Sequence, residues 1–350
     1  MKKDISNLFI SKEADILTAM KIMDEQRKKL LIVGENNKYY GLLSIGDIQR
    51  AMIRDNKLSN SIESIMRTDY VVATPTVTES EIKELMLQLR AEFMPVVDEN
   101  KEVISVFFWE DFFGDIVQAP LFKFNIPVVI MAGGFGSRMR PLTYVLPKPL
   151  IPINDKTFLE EIFERFYKHG CDRFYLSVNY KADLIKYYLK EQNLPYYIDY
   201  FIEDKPLGTA GSLSLLKEKI NETFFVSNCD ILIEQDYSEV LKYHRDNKND
   251  ITVISALKNY HIPYGTIETG ENGKLIKLVE KPDMTFQINS GMYILEPHLL
   301  TEIPEGDFFH ITHLIEQTKD KGGKVGVFPV SEKSWKDIGQ WDEYLKNINA

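Results

Sequence analysis

Apolar and polar positions change their period along the chain, and the changes divide it. Within residues 14–29, Ile16, Ala19, Met20 and Met23 recur at helical spacing, and Leu30-Leu31-Ile32-Val33 follows as a continuous strand-like run. A second strand at 40–44 and a helix from 45 to 53 complete a first set of elements. A second set repeats it: helix at 79–90, strands at 94–97 and 103–107, helix at 109–117. Asp47 in the first set lies 64 positions before Asp111 in the second. Each set is too short to bury a good core alone, which predicts that the two pair. Residues 118–127 then lack any period and contain Pro120 and Pro127. They predict a linker and a division into residues 1–122 and 123–350.

Beyond the linker, strand and helix alternate. Strand-like runs fall at 128–132, 173–178, 197–202, 224–227 and 251–256, and helix-like runs at 159–168, 183–191, 210–219 and 237–246. This order predicts an α/β fold with a mostly parallel sheet covered by helices, and ligands at the carboxyl ends of its strands. From Thr266 several short strands precede a last helix at 311–319.

Composition adds exclusions. The 350 residues are 44% hydrophobic and 27% charged, an ordinary globular mixture. No apolar run approaches the ~20 residues of a membrane span, and Met1-Lys2-Lys3-Asp4 has no apolar run behind it to make a secretory signal. Cys171 and Cys229 lack metal-site spacing, so a reducing, cytoplasmic setting is expected. A net charge of −10 argues against nucleic-acid binding. It leaves room for a small phosphorylated ligand held by a few local cations.

Such cations are present. After the strand at 128–132 comes Ala132-Gly133-Gly134-Phe135-Gly136-Ser137-Arg138-Met139-Arg140-Pro141-Leu142-Thr143. The glycines let the backbone bend and turn several N–H groups towards one point, and Arg138 offers a fork of donors for phosphate oxygens. No Gly-Lys-Ser/Thr closes a P-loop, and Arg138 and Pro141 stand where a dinucleotide-binding motif would open a helix. Lys148, between Pro147 and Pro149, is a second phosphate cation, with prolines that predict no helix there.

The run from Gly133 to Thr143 and Pro147-Lys148-Pro149 resembles the signature of the sugar-1-phosphate nucleotidyltransferases. The resemblance extends over residues 126–346. It implies a Rossmann-like sheet and a reaction joining a nucleoside triphosphate to a sugar 1-phosphate with release of pyrophosphate. It also implies roles. Ala132, Gly133, Gly134, Gly136 and Ser137 would cradle the nucleotide, with Gly208 and Thr209. Arg138 and Lys148 would hold the triphosphate. Asp230, after the strand at 224–227, and Asp337, in Trp335-Lys336-Asp337-Ile338-Gly339, would hold Mg²⁺. Lys281 in Glu280-Lys281-Pro282 would grip the sugar phosphate. Glu280, Tyr264, Gly265, Asn289 and Asn179 would line the sugar pocket.

Glu203, in Glu203-Asp204-Lys205-Pro206-Leu207-Gly208-Thr209-Ala210-Gly211, stands in the base-recognition loop. A carboxylate suits the adjacent N1–H and N2 amine of guanine, and the loop is similar to that of guanylyltransferases acting on mannose-type phosphates. GTP is therefore the expected nucleotide, with UTP, CTP and dTTP as alternatives.

Gly41-Leu42-Leu43-Ser44-Ile45-Gly46-Asp47-Ile48 resembles the motif of paired CBS domains (cystathionine-β-synthase type). There Ser44 and Asp47 would contact an adenine nucleotide, while the second copy departs, with Ser105 and Phe108 at the glycine and hydroxyl positions. The resemblance implies regulation or homo-oligomerisation. A CBS pair ahead of a nucleotidyltransferase is similar to guanylyltransferases of nonulosonic (legionaminic) acid pathways in cell-surface glycan synthesis. This makes glucosamine 1-phosphate the expected sugar, with mannose or heptose 1-phosphate as alternatives. A non-catalytic nucleotide sensor is the reading from another class.

Overall fold

A computed structural model describes residues 5–55, 57–114, 118–341 and 344–345. The N-terminal Met1-Lys2-Lys3-Asp4, residues 115–117 of the helix expected at 109–117, and Lys346 lie outside the described residues. The chain divides into two compact units, Met1–Ala119 and Pro120–Ala350.

The first unit runs β1 (Phe9–Ile10), α1 (Ile16–Gln26), β2 (Leu30–Glu35), β3 (Lys38–Ser44), α2 (Ile45–Asp55), α3 (Glu79–Leu89), β4 (Phe93–Val97), β5 (Val103–Phe108) and α4 (Trp109–Phe113). One cluster of buried side chains draws on both copies of the repeat: Leu30, Ile32 and Leu42 from the first, and Phe93, Val97, Val103 and Phe108 from the second. Backbone bonds join the hairpins directly, Tyr39 N to Lys101 O at 2.7 Å and Val103 N to Asn37 O at 2.8 Å. A second cluster, with Ile82, Met86, Met94 and Val96, draws on the second copy alone.

The second unit continues with β6 (Val128–Met131), β7 (Pro152–Ile153), β8 (Lys156–Thr157), α5 (Phe158–Lys168), β9 (Arg173–Val178), α6 (Ala182–Glu191), β10 (Tyr197–Ile202), β11 (Phe224–Asn228), β12 (Ile231–Ile233) and α7 (Tyr237–Asn247). Then come β13 (Ile251–His261), β14 (Thr266–Thr269), β15 (Leu275–Val279), β16 (Asp283–Leu295), α8 (Ile311–Asp320), β17 (Val325–Val330) and β18 (Trp335–Asp337). Seven strands form one sheet in the order β10-β9-β6-β11-β16-β13-β17. All neighbours pair in parallel except β16, which runs antiparallel to both β11 and β13.

Burial on both faces explains the unbroken apolar runs. Val128 and Ile130 face the cluster containing Phe163, Phe166 and Tyr237, whereas Val129 faces the one containing Leu213, Leu216 and Leu314. Phe225 and Phe224 divide the same way. α5 starts at a reciprocal cap: Thr157 Oγ1 accepts from Glu160 N at 3.3 Å, and Glu160 accepts from Thr157 N at 2.8 Å.

Three sequence expectations need correction. The helix expected at 210–219 is only a 3₁₀ segment, Gly211–Leu216. Ala210 N and Gly211 N donate to Phe309 O, fixing the entry of the segment, and Ser214 Oγ donates to Gly211 O, competing for a carbonyl that a regular helix would use. Lys148–Leu150 forms a single 3₁₀ turn despite its prolines, because Pro149 sits in the first turn where no N–H is needed. The region after Thr266 contains the 13-residue β16 as well as the short strands.

Candidate active site

The carboxyl ends of adjacent parallel strands converge. β6 leads into Ala132-Gly133, β9 into Asn179, β10 into Glu203 and β11 into Asp230. Gly136 has a left-handed φ of 62°, and a Cβ there would stand 2.9 Å from Thr143 Cγ2 and 3.0 Å from the Lys148 Cβ. Only glycine satisfies both the turn and the space. Thr143, itself buried, donates to Gly136 O at 2.9 Å and holds the turn closed.

Asp230 and Asp337 are 107 positions apart but meet through β12 and β18. Ile231 pairs with Asp337 in that antiparallel ladder, and Ile338 N donates to Asp230 O at 3.0 Å. Lys148, 8% exposed, makes an ion pair with the Asp230 carboxylate. The Arg138 guanidinium spans the pair, 3.6 Å from Asp230 and 3.8 Å from Asp337. Asp337 also accepts from Gly339 N at 3.0 Å and Gln340 at 2.9 Å. A side chain on Gly339 would collide with both the Lys148 ammonium and the Asp230 carboxylate. Gly339 is a requirement of this site that the sequence reading did not assign. Its signal was the glycine in the Asp337 motif.

Two carboxylates within reach of one guanidinium form a donor set suited to Mg²⁺, which takes one or two carboxylates and completes its shell with phosphate oxygens and water. Among the described residues no group of three or more His, Cys, Asp or Glu side chains gathers as a metal cage, so the remaining ligands would come from the nucleotide. Cys229, beside Asp230, is no nucleophile: burial, and then the Asp230 charge, push its thiol up to about 12.

Glu203, expected to recognise the base, lies with its carboxylate against Gly133, whose Cβ would stand 2.9 Å from Glu203 Oε1. It is 6% exposed, and its carboxylate accepts from the Ser177 hydroxyl and from Leu207 N at 3.1 Å. Both oxygens are therefore engaged by the chain, and its plain geometry is that of a staple holding the 203–207 loop to the end of β9. Asn179 reinforces it by donating to Glu203 O. Thr209 Oγ1 accepts from Ile311 N at 3.0 Å and serves the start of α8. Gly208, at φ 81°, lies against the backbone of Phe309.

Most of the sugar-pocket candidates lie around β14–β16, while Asn179 follows β9, and Gly291 beside Asn289 packs against Asn228 and Ile231 next to Asp230. Glu280 lies over Gly265, whose Cβ would stand 2.9 Å from Glu280 Oε2. Lys281 is exposed with a left-handed φ of 45°, and Tyr264 is exposed. Asn289 Oδ1 accepts from Gly291 N at 3.1 Å and from the Tyr293 hydroxyl at 2.8 Å.

In the first unit, Ser44 and Asp47 cap α2. Asp47 N donates to Ser44 Oγ at 3.2 Å, and Asp47 Oδ2 accepts from Ser44 N at 2.9 Å. Asp47 Oδ1 also receives Arg67 at 2.7 Å and Arg50. Burial would raise the Asp47 carboxyl, but the Ser44 and Arg67 bonds outweigh it and hold it below the ordinary range. Asp111 repeats half of the cap, accepting from Phe108 N at 2.8 Å.

A family model described as nucleotidyl transferase matches residues 127–350. The chain belongs to the nucleotidyl transferase family. The CBS domain model matches residues 1–54 and 62–117. A Dictyostelium discoideum mannose-1-phosphate guanylyltransferase catalytic subunit beta is 32% identical over 238 residues, covering 63% of each chain. A Synechocystis UTP–glucose-1-phosphate uridylyltransferase is 32% identical over 243 residues, covering 63% of this chain and 62% of its own. The nucleotidyl transferase chain thus spans less than two thirds of the length of these curated relatives. HddC from Yersinia pseudotuberculosis, solved alone and with GMP-PN, is 29% identical and covers 64% of this chain and 98% of its own, with TM-scores of 0.52 and 0.51.

Proposed function

We propose that the second unit transfers a nucleotidyl group from a nucleoside triphosphate to a sugar 1-phosphate and releases pyrophosphate. The observation that carries this reading is the convergence of Arg138 and Lys148 on the Asp230–Asp337 pair beside a glycine-rich turn. Arg138 and Lys148 hold the triphosphate, and Lys281 holds the sugar phosphate. A sugar-phosphate oxygen attacks the α-phosphorus in line, and the bond from that phosphorus to the bridging oxygen of the pyrophosphate breaks. A phosphate monoester has a second pKa near ~6, so the nucleophile is already ionised and no base removes a proton. Rate comes from positioning and charge stabilisation. Mg²⁺ held by Asp230 and Asp337 would supply charge neutralisation on the triphosphate.

GTP is favoured as the donor, supported by relatives named guanylyltransferases and by the GMP-PN complex of HddC. The uridylyltransferase relative keeps UTP as a second reading, favoured by the engagement of both Glu203 oxygens within the chain. Glucosamine 1-phosphate is the sugar we favour, on the fused CBS architecture. A cytoplasmic setting fits these substrates and the two buried free cysteines. Among the described residues no helix is long and apolar enough to cross a membrane. For the first unit we favour assembly of a homo-oligomer over control by an adenine nucleotide, because Ser44 and Asp47 are both engaged in capping α2.

A pyrophosphate-release assay with Mg²⁺, four nucleotides and glucosamine, mannose, heptose and glucose 1-phosphates tests the reading. No release in any combination would favour a non-catalytic sensor. Acceleration or inhibition by AMP, ADP or ATP would restore the regulatory role of the CBS pair.

A further inference from the structure

We propose that Lys181 is a positioning residue for the triphosphate loop, fixing the segment that joins Arg138 to Lys148. This rests on the reading of residues 132–148 as a triphosphate cradle. The Lys181 ammonium donates to two successive carbonyls of that segment, Tyr144 O and Val145 O, at 2.6 Å each. The preceding carbonyl, Thr143 O, accepts from the Tyr180 hydroxyl at 3.1 Å. Three consecutive carbonyls are thus held by two neighbouring side chains from the loop between β9 and α6. Thr143 in turn holds Gly136 O, the pivot two residues before Arg138, and Lys148 follows Val145 by three residues.

Tyr144 and Val145 are 62% and 70% exposed. The carbonyl end of the 3₁₀ turn Leu142–Tyr144 carries partial negative charge, which an ammonium complements.

Position 181 itself argues that the ammonium is what is wanted there. Lys181 is the N-cap of α6, with left-handed φ 54° and ψ 37°, and its side chain makes no capping bond. Local folding would favour asparagine or glycine, which tolerate that conformation and cap well. A lysine gives up both advantages, and its distinctive contribution is a charged donor long enough to reach the triphosphate loop.

The test uses the full chain and the variants Lys181→Met and Lys181→Arg. Methionine keeps the apolar stem and removes the donors, whereas arginine can bond two carbonyls through its fork. Lys181→Met should raise the KM for the triphosphate about tenfold, the scale of one lost charge-assisted hydrogen bond. The KM for the sugar phosphate and the melting temperature should stay near wild type, and Lys181→Arg should recover most of the loss. An unchanged triphosphate KM, equal losses for both substrates, or an arginine variant no better than methionine would overturn the proposal. Should the wild-type chain release no pyrophosphate with any nucleotide, the activity reading fails separately. Calorimetric GTP affinity in Mg²⁺ then gives the same comparison, and equal affinity of wild type and Lys181→Met overturns the proposal.

Discussion

Replacing Arg138 by glutamine removes a cation from between two carboxylates. In the wild-type chain the guanidinium lies 3.6 Å from Asp230 and 3.8 Å from Asp337. At such distances each attraction is about 1 kcal/mol in water-like surroundings. The Arg138 side chain is 61% exposed, so salt and side-chain entropy reduce the combined effect to roughly 1 kcal/mol. A divalent ion entering the carboxylate pair displaces this attraction. Arg138→Gln should therefore bind Mn²⁺ or Mg²⁺ about fivefold more tightly than wild type when no nucleotide is present. With the triphosphate the sign reverses. The variant lacks charge-assisted bonds of about 1.5–3 kcal/mol to the phosphates, so GTP affinity in saturating metal should fall by at least about tenfold. Calorimetric titration with Mn²⁺ alone, then with GTP in Mn²⁺, reads both arms. Equal or weaker metal binding by the variant without nucleotide would refute the view that Arg138 stands in for the metal.

Asp230→Asn should abolish most turnover and destabilise the second unit by about 3 kcal/mol, because the buried Lys148 loses its partner. Urea denaturation of Asp230→Asn with Lys148→Met should show part of that loss restored, and strict additivity of the two changes would count against the coupling. Glu203→Gln can still accept from Leu207 N through its amide oxygen while its NH₂ donates to Ser177 Oγ, and loses the charge assistance of both bonds. It should lower the rate with all four nucleotides alike, whereas a selective loss of GTP would return Glu203 to base recognition. For Asp236, burial acts to raise the carboxyl, but bonds from His169, Ser238 and Leu121 N outweigh it and depress it well below the usual range. A depressed carboxyl stabilises above its unfolded pKa near ~3.9 and loses that contribution as pH falls through the folded value. Asp236→Asn should therefore flatten the acid limb of the stability–pH curve, and an unaltered limb in thermal melts from pH 2 to 7 would rule out this contribution of Asp236.

Much of this architecture was legible because local chemistry and global placement agree. The glycine at 136 announces a left-handed turn with no room for a Cβ against Thr143 and Lys148, and the strand before Asp230 places it at the carboxyl end of the sheet. The alternation of Val128, Val129 and Ile130 between two cores is why the strands read as continuous apolar runs. What remained hidden depended on partners distant in sequence. The resemblance already paired Asp230 with Asp337 but did not reveal the β12–β18 ladder that joins them, and the engagement of Glu203 needs Ser177 from another strand. The Ser44–Asp47 pattern reads equally as a ligand motif and as a helix cap, and only coordinates reveal the bonds it makes. The segment expected as a helix at 210–219 is tied at its entry to Phe309 O, distant in sequence, while Ser214 Oγ competes for Gly211 O.

β16 has a consequence for how such a protein can diversify. Its inner half is locked into the core register, Ser227 opposite Met292 and Val253 opposite Tyr293. Its outer half, from Asp283 to Asn289, is largely exposed and pairs with β13 alone. Substitutions that remodel the outer portion, with β14 and β15, can be sampled without disturbing Arg138, Lys148, Asp230 and Asp337, the residues proposed to hold the triphosphate and metal. On the proposed function, a single strand therefore separates the part of the molecule that selection could retune towards a new sugar from the part that it must leave untouched.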